Sequence, residues 1–472
     1  MTVSKVWPWV LAAIVVIAAV LIVTAGPTLI QIARIGSGIE AKTLCSDLFV
    51  SRRDQSDIQA EDLREGAYWP LRVFTPKVDR EDKTVTASLL GLGPQTAIFR
   101  DGLGCTLLNG KTEEELRAQT IGAVSLQESN SELLWPEGER VDFATINAGV
   151  DRAKLDAAIE RAFAEPDAKH SRHTRALVVV HHGRIVAERY AHGFDKTMPL
   201  TGWSMGKSVT NALIGLRVGD GKISVTDQAL LPEWRRENDP RRNITVSQLL
   251  CMTSGLEFDE DYDSFFSDVR RMLFIDGDKS GFASDKPLQY SPGMQWSYSS
   301  GTTNILARVL RESFSREAEY LRFPRERLFT TLGMQSAVLE PDAAGVFVGS
   351  SFIYASARDW ARLGLLYLQD GVWHGRRLLP EGWVADSVKP TCRSPNDQYG
   401  WQIWLKLDES ACFGEPPFPE DAFYMQGHDG QVVAIVPSLD LVIVRLGLTR
   451  TKGTWDHARD LAPILQALLP PS

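Results

Sequence analysis

Cysteine is scarce in this chain: Cys45, Cys105, Cys251, Cys392 and Cys412 are the five among 472 residues. None stands in the C-x-x-C spacing of a zinc or dithiol redox site, so the sequence predicts no metal centre and no cofactor. Positive charge is not in excess either, with 51 Lys plus Arg against 60 Asp plus Glu and a net charge of -9. Neutralising a phosphate backbone needs a concentrated basic surface, which excludes nucleic acid as an expected partner. Internal repeats and low-complexity tracts are missing, which excludes solenoids and fibrous chains. What remains is an ordinary globular composition, 44% hydrophobic and 24% charged, in a chain longer than one core usually serves.

Charge is also missing from Val6 to Ala33. The aliphatic stretch inside it, Trp9 to Ala25, is long enough to cross most of a bilayer as a helix, so residues 1–35 are predicted to be a single-pass anchor in the cytoplasmic membrane. A signal peptide cleaved after Val23-Thr24-Ala25, giving a secreted protein, is the alternative. Cys45 with Cys105, and Cys392 with Cys412, each fall within one local segment and are expected to form disulfides. That leaves Cys251, in the run Leu249-Leu250-Cys251-Met252, as a buried thiol; five reduced core cysteines are the competing expectation. Disulfides would put the folded part in the periplasm or outside the cell.

Residues 36–140 form a separate extension, a cap or stalk, with strand-like runs at Thr84–Leu89 and Thr96–Phe99 and no ligand motif. In residues 141–472, Val150, Leu155, Ile159, Ala162 and Phe163 recur at near-helical spacing, predicting a helix from about Asn147 to Pro166. Ala176–His181 and Arg184–Tyr190 are β-rich runs joined at His182-Gly183, a hairpin signal. A second hairpin is predicted from Val432–Val436 and Leu441–Leu446 around Pro437-Ser438-Leu439-Asp440. The last helix is expected over Asp460–Leu469, with Asp460 as its cap and Pro463 in its first turn. Together these predict an α+β fold, an α/β sandwich in which an antiparallel sheet is flanked by terminal helices, with a mainly helical subdomain set against it.

Ser204-Met205-Gly206-Lys207 opens an apolar helical segment (Val209, Leu213, Leu216) that stops at Gly219-Asp220-Gly221. A serine on a first helical turn meets the positive end of the helix dipole, which favours developing negative charge. Lys207, three residues on, shares its face, and a desolvated lysine loses pKa until it can act as a base near neutrality. The same residues spell Gly202-Trp203-Ser204-Met205-Gly206, a match to the nucleophile elbow that must follow a buried strand; Asp195–Pro199 is polar and proline-broken, so that context is missing.

Pro292-Gly293 precedes Trp296-Ser297-Tyr298-Ser299-Ser300, and Tyr298 is a candidate proton shuttle, since a phenol beside an ammonium gains phenolate character. Gly427-His428-Asp429-Gly430-Gln431 runs into the second hairpin, where Gly430 lets the backbone approach a substrate. The Gln431 N–H is expected to join that of Ser204 as an oxyanion hole, with His428 as a polar group at the rim. Trp203, Phe265, Phe266, Trp401 and Trp404 are candidates for an apolar cleft wall.

Ser204–Lys207, Tyr298–Ser300 and His428–Gly430, in that order, resemble the S-x-x-K, Y-x-N and K-T-G or H-x-G motifs of the serine β-lactamase and penicillin-binding protein superfamily, in its class C-like branch. Ile244–Leu256 and Ala357–Tyr367 look like the same family, and the resemblance runs from Asn147 to the C-terminus. It implies an acyl-enzyme at Ser204, with Lys207 and Tyr298 exchanging protons, and a small-molecule or short-peptide substrate. Two positions depart from the penicillin-recognising pattern. Ser300 stands where those members carry Asn, and His428 replaces a lysine, weakening attraction for a carboxylate at neutral pH. Such substitutions resemble carboxylesterases, 6-aminohexanoate-dimer hydrolases and D-amino-acid peptidases. The expected activity is therefore amide or ester hydrolysis. A β-lactamase or D-Ala-D-Ala-type peptidase, and a catalytically silent binding or sensor protein, are the two alternatives.

Overall fold

The computed structural model describes residues 7–122, 132–143, 150–167, 170–390, 393–407 and 418–469, with backbone alone over 7–25 and at 67. The first helix, α1 (Trp7–Phe49), runs for 43 residues. Four strands follow as an antiparallel meander: β1 (Phe74–Asp79), β2 (Thr84–Leu89), β3 (Leu92–Arg100) and β4 (Gly104–Leu107). Alternation decides which side of β2 faces inward, with Val85 and Ala87 fully buried and Thr84 and Thr86 half-buried. Against that face lie Ile35, Ile39 and Leu44 of α1. Cys45 of α1 is disulfide-bonded to Cys105 of β4, with their Cα atoms 6.1 Å apart.

The membrane anchor is corrected here. Among the described residues no helix is long and apolar enough to cross a membrane, so the single-pass placement and the membrane as partner are not retained. The helix that carries the apolar run continues unbroken into protein. Its Glu40, Lys42 and Asp47 are buried in ion pairs with Arg64, Glu340 and Arg53, partners that lipid does not supply. The side chains of Trp9–Ala25 lie outside the described residues.

The second part begins with α2 (Arg152–Phe163), where the Asp151 carboxylate accepts the Lys154 N–H at 3.1 Å as an N-cap; the expected onset at Asn147 lies outside the described residues. Strands β5 (Thr174–His181) and β6 (Arg184–Tyr190) form the first predicted hairpin. Its two turn residues, His182 and Gly183, have φ of 50° and 70°, the left-handed pair that matches strand twist. Among the helices of the middle are α3 (Gly206–Gly219), α4 (Ser300–Glu312) and α5 (Ala357–Leu368). Then come β7 (Phe423–Gly427), β8 (Gln431–Val436), β9 (Leu441–Gly447) and α6 (His457–Gln466).

These strands form one antiparallel sheet in the order β7-β8-β9-β5-β6, so the second predicted hairpin sits at its centre beside the first. Leu177 and Val179 of β5 pack with Leu155, Ile159, Leu461 and Ile464 of α2 and α6. Val178 and Val180 face the other way, into the core that contains α3, α4 and α5. The sandwich expected from the sequence is what forms.

Two local expectations change. Helix α6 is capped by Asp456, whose carboxylate accepts the Arg459 N–H at 2.7 Å, while Asp460 is buried one turn later and accepts the Asp456 N–H at 2.9 Å. Cys251 is not a buried free thiol: it follows the short helix Val246–Leu250, is only half-buried, and is disulfide-bonded. The expected pair Cys392–Cys412 lies outside the described residues.

Candidate active site

The chain reaches Ser204 through a short strand, Leu200–Thr201, paired antiparallel with Ile353–Ala355. This is a two-residue strand at the edge of a small three-stranded sheet, not the buried parallel strand of a nucleophile elbow. Trp203 then takes φ +47°, a conformation costly for a bulky side chain, and Trp203–Met205 form one turn of 3-10 helix leading directly into α3. Ser204 therefore sits just outside the N-terminus of a 14-residue helix, half-buried, with its hydroxyl at the dipole's positive end.

Lys207, one turn on, is 1% exposed. Its Nζ donates to Ser204 Oγ at 3.1 Å, to Ser300 Oγ at 3.1 Å and to the Ser350 carbonyl at 3.2 Å. Burial pulls the ammonium down to about 8 from its ordinary 10.5, against the opposing pull of the Glu260 carboxylate. The sequence placed serine and lysine on one helical face, and they are in hydrogen-bond contact.

Tyr298 closes the third side. Its ring lies under the Lys207 ammonium, 4.7 Å from centroid to Nζ, and packs on the Trp404 ring at 5.3 Å. The phenolate character expected of it does not follow. Burial first, and the Glu260 charge second, push the phenol well above its ordinary value, outweighing the opposite pull of Ser204 and Trp404. At neutral pH Tyr298 is a proton donor.

Ser300 opens α4 and is fully buried. Its N–H donates to Glu260 Oε2 at 2.7 Å and its hydroxyl to Glu260 Oε1 at 2.5 Å. Burial raises the Glu260 carboxyl, with Lys207 and Ser300 pulling the other way.

The end of β7 is the strand edge that reaches the nucleophile. A Cβ on Gly427 would collide with the Gly202 carbonyl oxygen, so only glycine lets this backbone lie against the turn that carries Ser204. The His428 ring follows, stacked on Tyr262 at 5.1 Å and edge-on to Trp203 at 5.8 Å, with Nε2 3.4 Å from Asp429 Oδ1. Gly430 leads into β8, which Gln431 opens. Gly430, at φ +82°, packs against the Arg445 guanidinium and accepts from it at 2.8 Å. Gln431 is 1% exposed, with its side chain locked in two hydrogen bonds to the Gly447 backbone at 2.6 and 2.9 Å. The group expected at the oxyanion hole is the Gln431 backbone N–H, and these side-chain bonds hold it at the start of β8.

Beyond His428 opens a cleft of about 740 Å³, whose lining includes Tyr262, Phe265, Arg270 and, from the N-terminal segment, Ile39, Tyr68 and Leu71. Of the aromatic residues expected at a cleft wall, Phe265 is there. Trp404 instead packs on Tyr298 at 5.3 Å, Trp401 on Trp383 at 5.3 Å, and Phe266 stands 49% exposed beside Phe265.

The beta-lactamase family profile matches residues 159–469, about two thirds of the chain. The chain belongs to the beta-lactamase family. Among curated proteins it is 23% identical over 297 residues to the 6-aminohexanoate-dimer hydrolase of Paenarthrobacter ureafaciens, covering 58% of this chain and 72% of that one. Among solved structures it resembles EstCE1, a hydrolase with promiscuous acyltransferase activity, at TM-score 0.51, with 13% identity over 67% of this chain and 98% of that one. It also resembles a penicillin-binding protein homolog from Caulobacter crescentus at TM-score 0.50, with 17% identity, 68% of this chain and 99% of that one. At such identities the structural likenesses establish the fold.

Within this beta-lactamase-family site, sequence reading missed Glu260 and Tyr262. Both lie in Phe258-Asp259-Glu260-Asp261-Tyr262, an acidic loop that reads as a solvated connection. The loop's only sequence-level signal is an aromatic on either side of three acids. Among the described residues no cluster of His, Cys, Asp and Glu is arranged to hold a metal ion.

Proposed function

We propose that this chain is a serine hydrolase that cleaves an amide or ester bond of a small-molecule or short-peptide substrate through an acyl-enzyme at Ser204. The observation that carries this reading is the 3.1 Å contact between the buried Lys207 amine and the Ser204 hydroxyl at a helix start. The free amine takes the Ser204 proton as Oγ bonds to the substrate carbonyl carbon and the carbonyl electron pair moves onto oxygen. The Ser204 N–H and the Gln431 N–H receive that charge as the oxyanion hole. The leaving group departs with a proton, delivered by the Tyr298 phenol or the Lys207 ammonium, and water attacking the ester returns the serine.

The cleft supports a further part of the reading. Because Ile39, Tyr68 and Leu71 line it, residues 36–140 serve as a cap on the catalytic part, 141–472, instead of a stalk that holds it away from a support.

A fluorophosphonate probe tests the assignment. Wild type is expected to label and Ser204→Ala to remain unlabelled, while equal labelling of both would falsify it. A panel of esters, amides and penicillins scored for Ser204-dependent turnover then sorts the substrate class.

A further inference from the structure

Glu260 has no place in the chemistry so far, yet it grips Ser300 by both of its polar groups. We propose that Glu260 is a positioning residue that aims the lone pair of Lys207 at Ser204, acting through the Ser300 hydroxyl. The inference rests on the hydrolase reading above.

It follows from counting protons. A charged lysine has three N–H donors, and here they go to Ser204 Oγ, Ser300 Oγ and the Ser350 carbonyl. When Lys207 loses one proton, two donors and one lone pair remain, and one of the three neighbours must switch from acceptor to donor. The Ser350 carbonyl has no proton to give. The Ser300 hydroxyl has one, but it is already donated to Glu260 Oε1 at 2.5 Å, and the adjacent backbone N–H holds Oε2 at 2.7 Å. Only the Ser204 hydroxyl is free to reverse, so the lone pair faces the proton it must remove. If Glu260 lost its acceptor character, Ser300 could donate to Lys207 and occupy the lone pair itself.

Ser300 is thereby more than a shortened Asn. A serine beside a carboxylate is held as an acceptor toward the amine, a polarity a lone hydroxyl does not fix.

The charged and titratable groups that face Glu260 are Lys207 of α3, the neighbouring Asp259, and the phenols Tyr262, Tyr298 and Tyr399. Of these, Lys207 is the cation, and its charged form is favoured by Glu260. Removing the carboxylate therefore lowers the midpoint at which Lys207 becomes a base, while the lone pair loses its direction.

The test is the rate of Ser204 labelling by a fluorophosphonate across pH in the full chain, for Glu260→Gln, Ser300→Ala and the double variant. Glu260→Gln should shift the midpoint to lower pH and still drop the high-pH plateau on the order of tenfold, a combination that loss of folded protein does not give. Ser300→Ala should lose a similar factor, and the double variant should be no slower than Ser300→Ala, because Glu260 acts through that hydroxyl. Glu260→Asp, which keeps two acceptor oxygens where Gln keeps one and adds a donor, should recover part of the plateau. A lowered midpoint with an unchanged plateau would make Glu260 a charge and nothing more, and fully additive losses would remove Ser300 as intermediary; either result overturns the proposal. Equal labelling of wild type and Ser204→Ala would instead sink the hydrolase reading itself, so the two failures are separable.

Discussion

The ammonium of Lys42 is ion-paired with the carboxylate of Glu340, 298 residues away, with side chains 4% and 0% exposed. Glu340 also accepts the Ser46 hydroxyl at 2.9 Å and the Cys105 N–H at 2.6 Å, so one buried carboxylate ties α1, β4 and the later chain together. Removing it leaves Lys42 charged, buried and unpaired, which costs more than the pair contributes. Glu340→Ala is expected to lower stability by about 3–5 kcal/mol. Urea unfolding followed by tryptophan fluorescence measures this, and a loss below about 1 kcal/mol would show that solvent reaches the site.

The Cys45–Cys105 bond closes a segment of 60 residues around the meander. Cross-linking a loop of that size restricts the unfolded chain, so the double substitution to serine should cost about 2–4 kcal/mol. A thiol count on denatured, unreduced protein is the complementary check. Five reactive thiols would contradict both this bond and the one at Cys251.

Burial holds Lys207 at about 8, below its ordinary 10.5, so the sign of the pH response is set. The free base accumulates as pH rises, and Ser204 acylation should climb about tenfold per unit below the midpoint and level off above it. Stability carries the same sign: the unfolded chain binds the proton more tightly, so this group's contribution grows between pH 8 and 10.5. A rate that is flat from pH 6 to about 10 removes Lys207 as the base.

Tyr298 keeps its proton across neutral pH, and its ring lies 4.7 Å from the Lys207 Nζ that holds Ser204. Tyr298→Phe should therefore spare aryl esters, whose leaving groups need no proton, and slow amides by about a hundredfold. Equal losses on both substrate types would assign Tyr298 to packing around Lys207.

His428 faces the Asp429 carboxylate at 3.4 Å and is sandwiched by Tyr262 and Trp203, a poor receptor for a substrate carboxylate. Penicillins are expected to acylate Ser204 far more slowly than small esters. His428→Lys should narrow that gap by roughly tenfold if charge is what is missing. Rapid, stable penicillin labelling of wild type would return the site to the penicillin-recognising pattern.

Much of this was legible in the chain itself. Periodicity located both hairpins, because alternating Val and Ile on β5, β8 and β9 bury on two faces whatever surrounds them. Spacing alone put Ser204 and Lys207 on one helical face, since three residues nearly complete a turn. Helix ends were less secure: Asp460 reads as the cap of the last helix, but it is buried one turn in and Asp456 caps α6 instead.

What the tertiary structure alone decided are the relationships between distant segments. The apolar N-terminal run reads as a membrane span, yet among the described residues no helix is long and apolar enough to cross one, and further along α1 Glu40, Lys42 and Asp47 are paired with partners from elsewhere in the chain. Gln431 reads as one more polar residue beside a glycine until its side chain is seen bonded to the Gly447 backbone, 16 positions on, which anchors the start of β8. Glu260 reads as one more surface acid until it meets Ser300, 40 positions on, at the foot of α4. Local chemistry follows from neighbours along the chain, which the sequence states; solvation and charge follow from neighbours in space, which only folding supplies.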